Sequence, residues 1–323
     1  MGSIARRQPL AAGAPSTAGL NMAAQRMQLD EGRWHFQHGP MDIVIGANGR
    51  TDAVQAGHAR AWARFTSILD ELVSELGQLR QPVNGPCALH GVVARRMWQA
   101  CQPHSGTFIT PMAAVAGSVA EELIASYAID GIASAWVNNG GDIALHLLSG
   151  QTLRVGLYAD LKNLDAREIL RGISTDGQFE ISSAMPVRGV ATSGWRGRSF
   201  SLGIADSVTV LARTASEADA AASIIANAVN VNDSRIKRHP ACDVKDDSDL
   251  RELPVTVDVP LLPPRKVQMA LEAGWTRAEE LRTRGLIWSS VLVCQGQVLT
   301  SQRENAEILD FSEVRQQTGS VFA

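Results

Sequence analysis

Cysteine is scarce in this sequence, and long apolar runs are missing. The four cysteines, Cys87, Cys101, Cys242 and Cys294, are widely separated and form no C-x-x-C pair, so neither a disulfide framework nor a zinc knuckle is expected. Reduced thiols in a cytoplasmic protein are the expectation instead. Because no run of about 18 apolar residues occurs, no membrane-spanning helix is expected.

The sequence also lacks an excess of one charge sign and the common nucleotide-binding motifs. Lys and Arg number 30 and Asp and Glu 33, with both signs interspersed, which is unlike the basic patch of a nucleic-acid-binding domain. Walker-A, G-x-G-x-x-G and G-x-S-x-G patterns are absent. These absences argue against a P-loop, a standard dinucleotide fold and the nucleophile elbow of α/β-hydrolases.

What the sequence does contain is enough apolar material for a large core. Its 323 residues are 45% hydrophobic and 20% charged, as in soluble globular proteins. Residues 1–25 are predicted to be a flexible arm, because their apolar part is short and is broken by Pro15. Residues 26–323 are expected to form one α+β domain, either as a single body or as two intimate lobes.

Hydrophobic periodicity predicts a layered α+β architecture in which helices pack on a central, mostly antiparallel sheet. The helical segments 110–128 and 216–229 are rich in small residues and are expected to pack close to that sheet. The charged segment 232–252 shows no periodicity and is predicted to be a loop. The predicted strands are residues 34–38, 42–45, 134–139, 142–148, 152–158, 187–192, 199–204, 207–212, 255–258, 286–294 and 297–301. The predicted helices are residues 51–80, 86–101, 112–127, 166–171, 216–229 and 265–284.

The helix predicted from Ser216 carries a carboxylate and a hydroxyl one turn apart. Asp219 and Ser223 therefore share one face of this helix. Hard oxygen ligands at that spacing suit Mg²⁺ or Ca²⁺ better than zinc. The alternative is that Asp219 is a first-turn carboxylate favoured by the helix dipole.

A glycine turn lies upstream, in the segment Asn138-Asn139-Gly140-Gly141-Asp142. The two glycines permit positive φ and close approach of the backbone, so that amide groups from Asn139 to Asp142 would cradle an anion. Asp142 would bind a ribose hydroxyl or orient an amide of the ligand. The alternative is a tight hairpin turn, which the same residues specify equally well.

A third polar segment lies between two apolar strands. Its members are Thr192-Ser193-Gly194, Trp195, Arg196 and Arg198. The two guanidinium groups would clamp a phosphate or carboxylate, and the indole would stack on a flat ring. The alternative is an exposed β-turn with ordinary surface arginines.

Asp206, Ser193 and Arg196 are the candidate catalytic residues. Asp206 precedes an apolar strand and would act as a proton acceptor, with a hydrogen-bonded structural carboxylate as the alternative. His35 and His38 lie three apart, which in a strand puts them on opposite faces and argues against a shared zinc. His38, next to Gly39, remains a candidate ligand contact.

Three segments together resemble one uncharacterised protein family, which is related to the ApbE-type FAD:protein FMN transferases. The segments are residues 108–117, FITPMAAVAG, residues 137–142, VNNGGD, and residues 191–210, ATSGWRGRSFSLGIADSVTV. The resemblance implies a T-fold-like scaffold with FAD or FMN as ligand, bound near the Thr-Ser-Gly turn. It also implies Mg²⁺ on Asp219 and Ser223, with a backbone carbonyl of Ala116 or Gly117 as a further ligand.

The sequence departs from the flavin transferases at two places. Those enzymes carry a Lys beside the glycine of the first helix, where this chain has Ala114-Val115-Ala116-Gly117. They also carry a His-x-x-Asp-Pro segment before the Val-Thr-Val strand, and residues 202–206 contain neither His nor Pro. The Asp-x-x-x-Thr pair of the transferases is Asp219 and Ser223 here, which keeps the ligand oxygen.

Three hypotheses of function follow. The leading one is an ApbE-like enzyme, a transferase or hydrolase, that acts on a flavin nucleotide or a similar flat anionic ligand with the help of Mg²⁺. The second is a non-catalytic flavin carrier, and the third is a hydrolase or lyase of a small carboxylate on the same scaffold. The expected partner is a small molecule, with neither nucleic acid nor membrane, and a homodimer is expected because several long helices carry Trp and Leu.

Overall fold

The computed structural model describes residues 23–157, 177–197 and 199–301. Most of the predicted N-terminal arm, the predicted helix 166–171 and the candidate ligand residue Arg198 lie outside the described residues. Within the described ranges, no helix is both long enough and apolar enough to cross a membrane.

In the described residues, the strands form one large antiparallel sheet and two two-stranded sheets. The strands are β1 (Gln25–Gln28), β2 (Trp34–His38), β3 (Met41–Gly49), β4 (Ile132–Asn139), β5 (Asp142–Leu147), β6 (Thr152–Leu157), β7 (Gly177–Ser182), β8 (Gly189–Ser193), β9 (Ser207–Ala212), β10 (Lys237–Pro240), β11 (Pro254–Asp258), β12 (Ser289–Cys294) and β13 (Gln297–Ser301). The nine-stranded sheet has the order β1-β2-β3-β4-β5-β8-β9-β12-β13, and β6 pairs with β7 and β10 with β11.

Seven α-helices accompany these strands in the described ranges. They are α1 (Thr51–Ser74), α2 (Leu76–Leu79), α3 (Val92–Cys101), α4 (Val115–Ile124), α5 (Ala215–Ala228), α6 (Ala241–Val244) and α7 (Pro264–Thr283). Short 3-10 turns precede and follow α4, at Pro111–Ala114 and Ala125–Tyr127. The predicted helix 112–127 is therefore interrupted at both ends.

The sheet separates two hydrophobic layers. Side chains of alternate strand positions point to opposite faces, so that Val137 and Ala144 contact the core formed with α1, α3 and α4. Ile143 and Val190 face the other way and pack under the β6–β7 sheet. The layered α+β fold with an antiparallel central sheet is thus confirmed.

The predicted strand 199–204 is wrong, because its backbone groups are bound elsewhere. The amide of Leu202 donates to the Asn227 side chain at 2.8 Å, and the amide of Ile204 donates to the Val229 carbonyl at 2.8 Å. A Cβ at Gly203 would overlap with the Ala226 carbonyl. The segment therefore runs across the C-terminal end of α5 instead of pairing with a strand.

The predicted charged loop 232–252 contains regular structure. Its residues form β10 and α6, and β10 pairs with β11. The strand Lys237–Pro240 is partly exposed along its length, so it lacks the alternation of apolar residues that reveals a half-buried strand. Elsewhere α3 begins at Val92 and β12 at Ser289, and neither β1 nor β7 was predicted.

Candidate functional site

Turns that were predicted separately meet at one edge of the large sheet. In an antiparallel sheet, the end of one strand lies beside the start of the next. Strand β4 ends at Asn139 and β5 begins at Asp142, while β8 ends at Ser193 and β9 begins at Ser207. Because β5 pairs with β8, the 139–142 turn and the 192–194 segment are neighbours.

The glycine turn adopts the conformation that its sequence indicated. Gly140 has φ 68° and Gly141 φ 111°, values that favour glycine. The Gly141 amide donates to the Asn138 side chain at 2.8 Å, and nothing lies within 4 Å of a Cβ placed at Gly141. The turn is a hairpin, as the alternative proposed, and it also leaves open space in front of its backbone.

Two hydrogen bonds tie this turn to its surroundings. The side-chain nitrogen Nδ2 of Asn139 donates to the Ala116 carbonyl at 3.1 Å. The backbone amide of Thr192 donates to the Asp142 carboxylate at 3.1 Å. Asn139, Asp142 and Ala116 are thereby brought together on the side of the sheet that α4 and α5 cover.

Asp219 lies in the same place, because α4 and α5 approach each other very closely. The amide of Gly117 donates to Asp219 Oδ2 at 2.9 Å. A Cβ at Gly117 would overlap with the Ala215 carbonyl and would lie 2.9 Å from the Asp219 Cβ. Only glycine permits this crossing, which sets Asp219 beside the backbone of Ala116. Ser223 follows one turn later on α5 and is partly buried.

The electrostatics of this group are unusual. Burial, and after it the neighbouring Asp142 carboxylate, raises the pKa of Asp219 well above its ordinary value of 3.8, against the hydrogen bonds from Gly117 and Ala116. Two carboxylates that are removed from water disfavour each other's ionised form. A bound cation would relieve that cost, so the charge distribution is suited to a metal ion.

The atoms present fit a hard cation rather than zinc. In the described part of the chain, no three His, Cys, Asp or Glu side chains are grouped as metal ligands. Asp219 and Ser223 offer oxygen atoms, and Ala116 offers a carbonyl oxygen that lies within reach of Asn139. A few oxygen ligands from the protein, completed by water or substrate phosphate, are what Mg²⁺ uses.

The Thr192-Ser193-Gly194 segment splits its side chains between the two faces of the sheet. Ala191 belongs to the core around α5, so by alternation Ser193 shares the face of Asp219 and Thr192 points to the other face. There the Thr192 hydroxyl lies 3.0 Å from the Thr209 hydroxyl. Thr192 therefore contributes its backbone amide to the site, and its hydroxyl pairs across the strands.

A second cluster surrounds Asp206 in the β8–β9 loop. Its carboxylate accepts from the Trp195 indole at 3.3 Å and from the Gln295 amide at 2.5 Å, and it pairs with Arg196 Nε at 3.2 Å. The Arg196 guanidinium lies 5.1 Å from the centre of the Trp195 ring. These contacts support the structural alternative for Asp206, and its role as a proton acceptor stays a prediction.

The two clusters are joined through Gly194. A Cβ at this residue would overlap with the Asp206 carbonyl, so the chain turns closely there, and the Trp195 amide donates to the Ala205 carbonyl. His38 is buried at the end of β2, where it pairs with Met41 on β3, and its ring is 6.1 Å from that of Phe65 on α1. Within the described ranges, no hydrogen bond or ion pair links the His38 side chain to the other candidates.

Two residues with evident roles at this edge were missed. The backbone amide of Gln295, a residue at φ 45°, donates to the Asp206 carboxylate. Its side chain accepts from the Leu262 amide and donates to the Pro260 carbonyl. Glu121 accepts from the amide and the hydroxyl of Ser216 at the start of α5. Only the spacing of four residues between Gly117 and Glu121, which puts both on one face of a helix, could have indicated the second.

Known proteins are similar to this chain in sequence. The sequence model of a protein family described as AbpE bacteria matches residues 24–300. The UPF0280 protein of Methanopyrus kandleri is 36% identical over 223 residues, which are 67% of this chain and 83% of that protein. The UPF0280 protein of Methanosphaerula palustris is 36% identical over 149 residues, 46% of this chain and 55% of the relative. The chain thus spans about half of the length of the latter.

Among solved structures, the apo form of Pseudomonas stutzeri flavinyl transferase ApbE is similar with a TM-score of 0.44 and 14% identity. The match covers 86% of this chain and 93% of that one. The ApbE protein of Thermotoga maritima matches with a TM-score of 0.40 and 13% identity, over 87% of this chain and 97% of that one.

Proposed function

We propose, from the premise that this chain belongs to the family described as AbpE bacteria, that it is an enzyme acting on a flavin nucleotide with a divalent cation. One observation carries the proposal: Asp219, Asp142, Asn139 and Ala116 come from distant parts of the chain and meet at one sheet edge. Two buried carboxylates beside an open glycine turn are a costly arrangement for folding alone.

The cation is assigned to Asp219, Ser223 and the Ala116 carbonyl. These are hard oxygen donors, which suit Mg²⁺. When bound, Mg²⁺ supplies neutralisation of phosphate charge and polarisation of the phosphorus. Asn139 orients the Ala116 carbonyl through its hydrogen bond, and Gly117 orients the Asp219 carboxylate.

The phosphates of the nucleotide are assigned to the 139–142 turn. The space in front of Gly141 permits close approach of an anion. Because the Gly141 amide already donates to the Asn138 side chain, the amide of the exposed Gly140 is the donor assigned to a phosphate oxygen. The flat ring is assigned to the partly exposed Trp195, which can stack against it. Arg196 lies over the same indole and adds positive charge near the ligand. Ser193, whose side chain lies on the sheet face of Asp219 by alternation along β8, is the candidate catalytic hydroxyl in this scheme.

Native mass spectrometry with FAD and FMN, with and without Mg²⁺, tests this proposal. We expect the wild type to retain FAD only with Mg²⁺ and, with water as the acceptor, to cleave the FAD pyrophosphate into FMN and AMP on incubation. Asp219→Asn should lose both properties, because the amide keeps the shape of the side chain but removes its charge. Asp70→Asn, the same substitution at an exposed position on α1, is the matched control and should behave as the wild type.

The same experiment separates the other two hypotheses. Retention of FAD without any product in the presence of Mg²⁺ would support the carrier and overturn the enzymatic proposal. A wild-type protein that retains neither flavin, at flavin concentrations far above those of the protein, would overturn flavin binding altogether. The hypothesis of a hydrolase or lyase that acts on a small carboxylate would then remain.

A further inference from the structure

The helix that carries Asp219 is anchored by a carboxylate from outside its own sequence. The first amides of an α-helix have no partner within it. In α5, the Thr214 hydroxyl accepts from the Glu217 amide, whereas the amide of Ser216 donates to Glu121 Oε2 at 3.2 Å. The Ser216 hydroxyl donates to the same oxygen at 2.7 Å. Glu121 therefore caps α5 from α4, with a charge that the helix dipole favours.

Glu121 is itself held in place from a third helix. Arg96 on α3 pairs with Glu121 Oε1 at 3.2 Å, and it also donates to the Ser118 carbonyl on α4 at 3.2 Å. The Arg96 and Glu121 side chains are only 23% and 24% exposed. At this exposure the pair is shielded from solvent more than a surface ion pair, whose contribution is small.

The contact lies one helical turn from the proposed cation ligand. Gly117 and Glu121 are four residues apart on α4, and Asp219 and Ser216 are three apart on α5. The two contacts, Gly117 with Asp219 and Glu121 with Ser216, thus fix both the rotation and the axial position of α5 against α4. A shift of α5 would move the Asp219 carboxylate relative to the Ala116 carbonyl.

We propose that Glu121 is a positioning residue for the cation site: through Ser216 it sets α5 so that Asp219 and the Ala116 carbonyl can bind one cation together. This inference rests on the proposed function. Removing a residue that orients a metal ligand without touching the metal typically weakens metal affinity by 10- to 100-fold. We therefore expect Glu121→Ala to raise the Kd for the cation about tenfold, although Glu121 does not touch the cation.

The test measures Mn²⁺ as a spectroscopic probe for the site, by electron paramagnetic resonance of free Mn²⁺, on the full chain. Glu121→Ala should weaken Mn²⁺ binding, Glu121→Gln should weaken it less because an oxygen still accepts from Ser216, and Glu121→Asp should restore part of the affinity. If Glu121 acts through Ser216, then Ser216→Ala should raise the Kd for Mn²⁺ less in the Glu121→Ala variant than it does in the wild type. Unfolding in EDTA is measured for each variant.

Glu122→Gln is the matched control. Glu122 pairs with Arg96 at 2.8 Å and with Arg64 at 2.6 Å, so it belongs to the same ion-pair network, but its bonds reach α1 and α3. It should lose stability without a change in Mn²⁺ affinity.

An unchanged Kd in Glu121→Ala, or an equal increase in Glu122→Gln, would overturn the positioning role alone. Failure of the wild type to bind Mn²⁺ would overturn the proposed cation site, and with it this inference.

Discussion

Replacing Asp219 by Asn should stabilise the protein in the absence of a divalent cation. The amide oxygen of Asn can still accept from the Gly117 amide, so the substitution removes charge and little else. The pKa of Asp219 is raised by burial and by Asp142. A carboxyl with a raised pKa holds its proton longer in the folded state, so stability falls as pH rises from 3.8 towards the folded pKa.

The size of the effect follows from the difference in the pKa of Asp219 between the folded and unfolded states. Each unit of pKa shift is worth about 1.4 kcal/mol, and the Asn variant avoids this loss. We expect no gain near pH 4 and a gain of about 1 kcal/mol or more at pH 7. Mg²⁺ at about 100 times its Kd should stabilise the wild type by about 2.7 kcal/mol and leave Asp219→Asn unchanged, which reverses their order.

Urea unfolding followed by circular dichroism, at several pH values in EDTA and in MgCl₂, measures these differences. Asp70→Asn is the control for a change in net charge, since Asp70 is exposed. If the Asn variant is less stable than the wild type at every pH in EDTA, the ionised Asp219 carboxylate does not cost stability. If the variant gains as much stability from Mg²⁺ as the wild type, Asp219 is not a cation ligand.

Two further predictions concern packing and pH. Gly117→Ala should lower the free energy of unfolding by about 1 to 3 kcal/mol and weaken cation binding, because its Cβ would overlap with α5. Gly77→Ala, in open space on α2, should leave both the stability and the cation affinity nearly unchanged. Burial, and then Arg277 and Arg284, lowers the pKa of His104 from 6.5 to about 4, so the folded state binds fewer protons. The free energy of unfolding should therefore fall as the pH decreases below 7, by about 2 kcal/mol between pH 7 and 5. His104→Gln should lack this part of the loss. An identical pH dependence in the two proteins would contradict the lowered pKa of His104.

The hairpin between β4 and β5 was predictable because local chemistry specifies it. Two consecutive glycines between apolar strands define a turn whatever surrounds them, and both adopt positive φ. Asp219 and Ser223 were likewise identified by helical spacing. What brings Asp219 to Asp142 in the turn is the crossing of α4 and α5 at Gly117, and that crossing follows from tertiary packing rather than from local sequence.

Other features depend on contacts that no local pattern records. Residues 199–204 resemble a strand, yet Asn227 and Val229 on and after α5 take their backbone hydrogen bonds. The Thr192 hydroxyl was expected at the ligand, but alternation along β8 directs it to Thr209 on the other face. Glu121 was not identified from the sequence, because its partner Ser216 is 95 residues away along the chain.

The most direct test is a crystal of the protein grown with Mn²⁺ and FAD, with data collected for anomalous scattering of manganese. The account predicts one strong peak bounded by the Asp219 carboxylate and the Ala116 carbonyl, with nucleotide phosphate density over the 139–142 turn. Nucleotide bound with its phosphates remote from Asp219, or a manganese peak at another position, would contradict it.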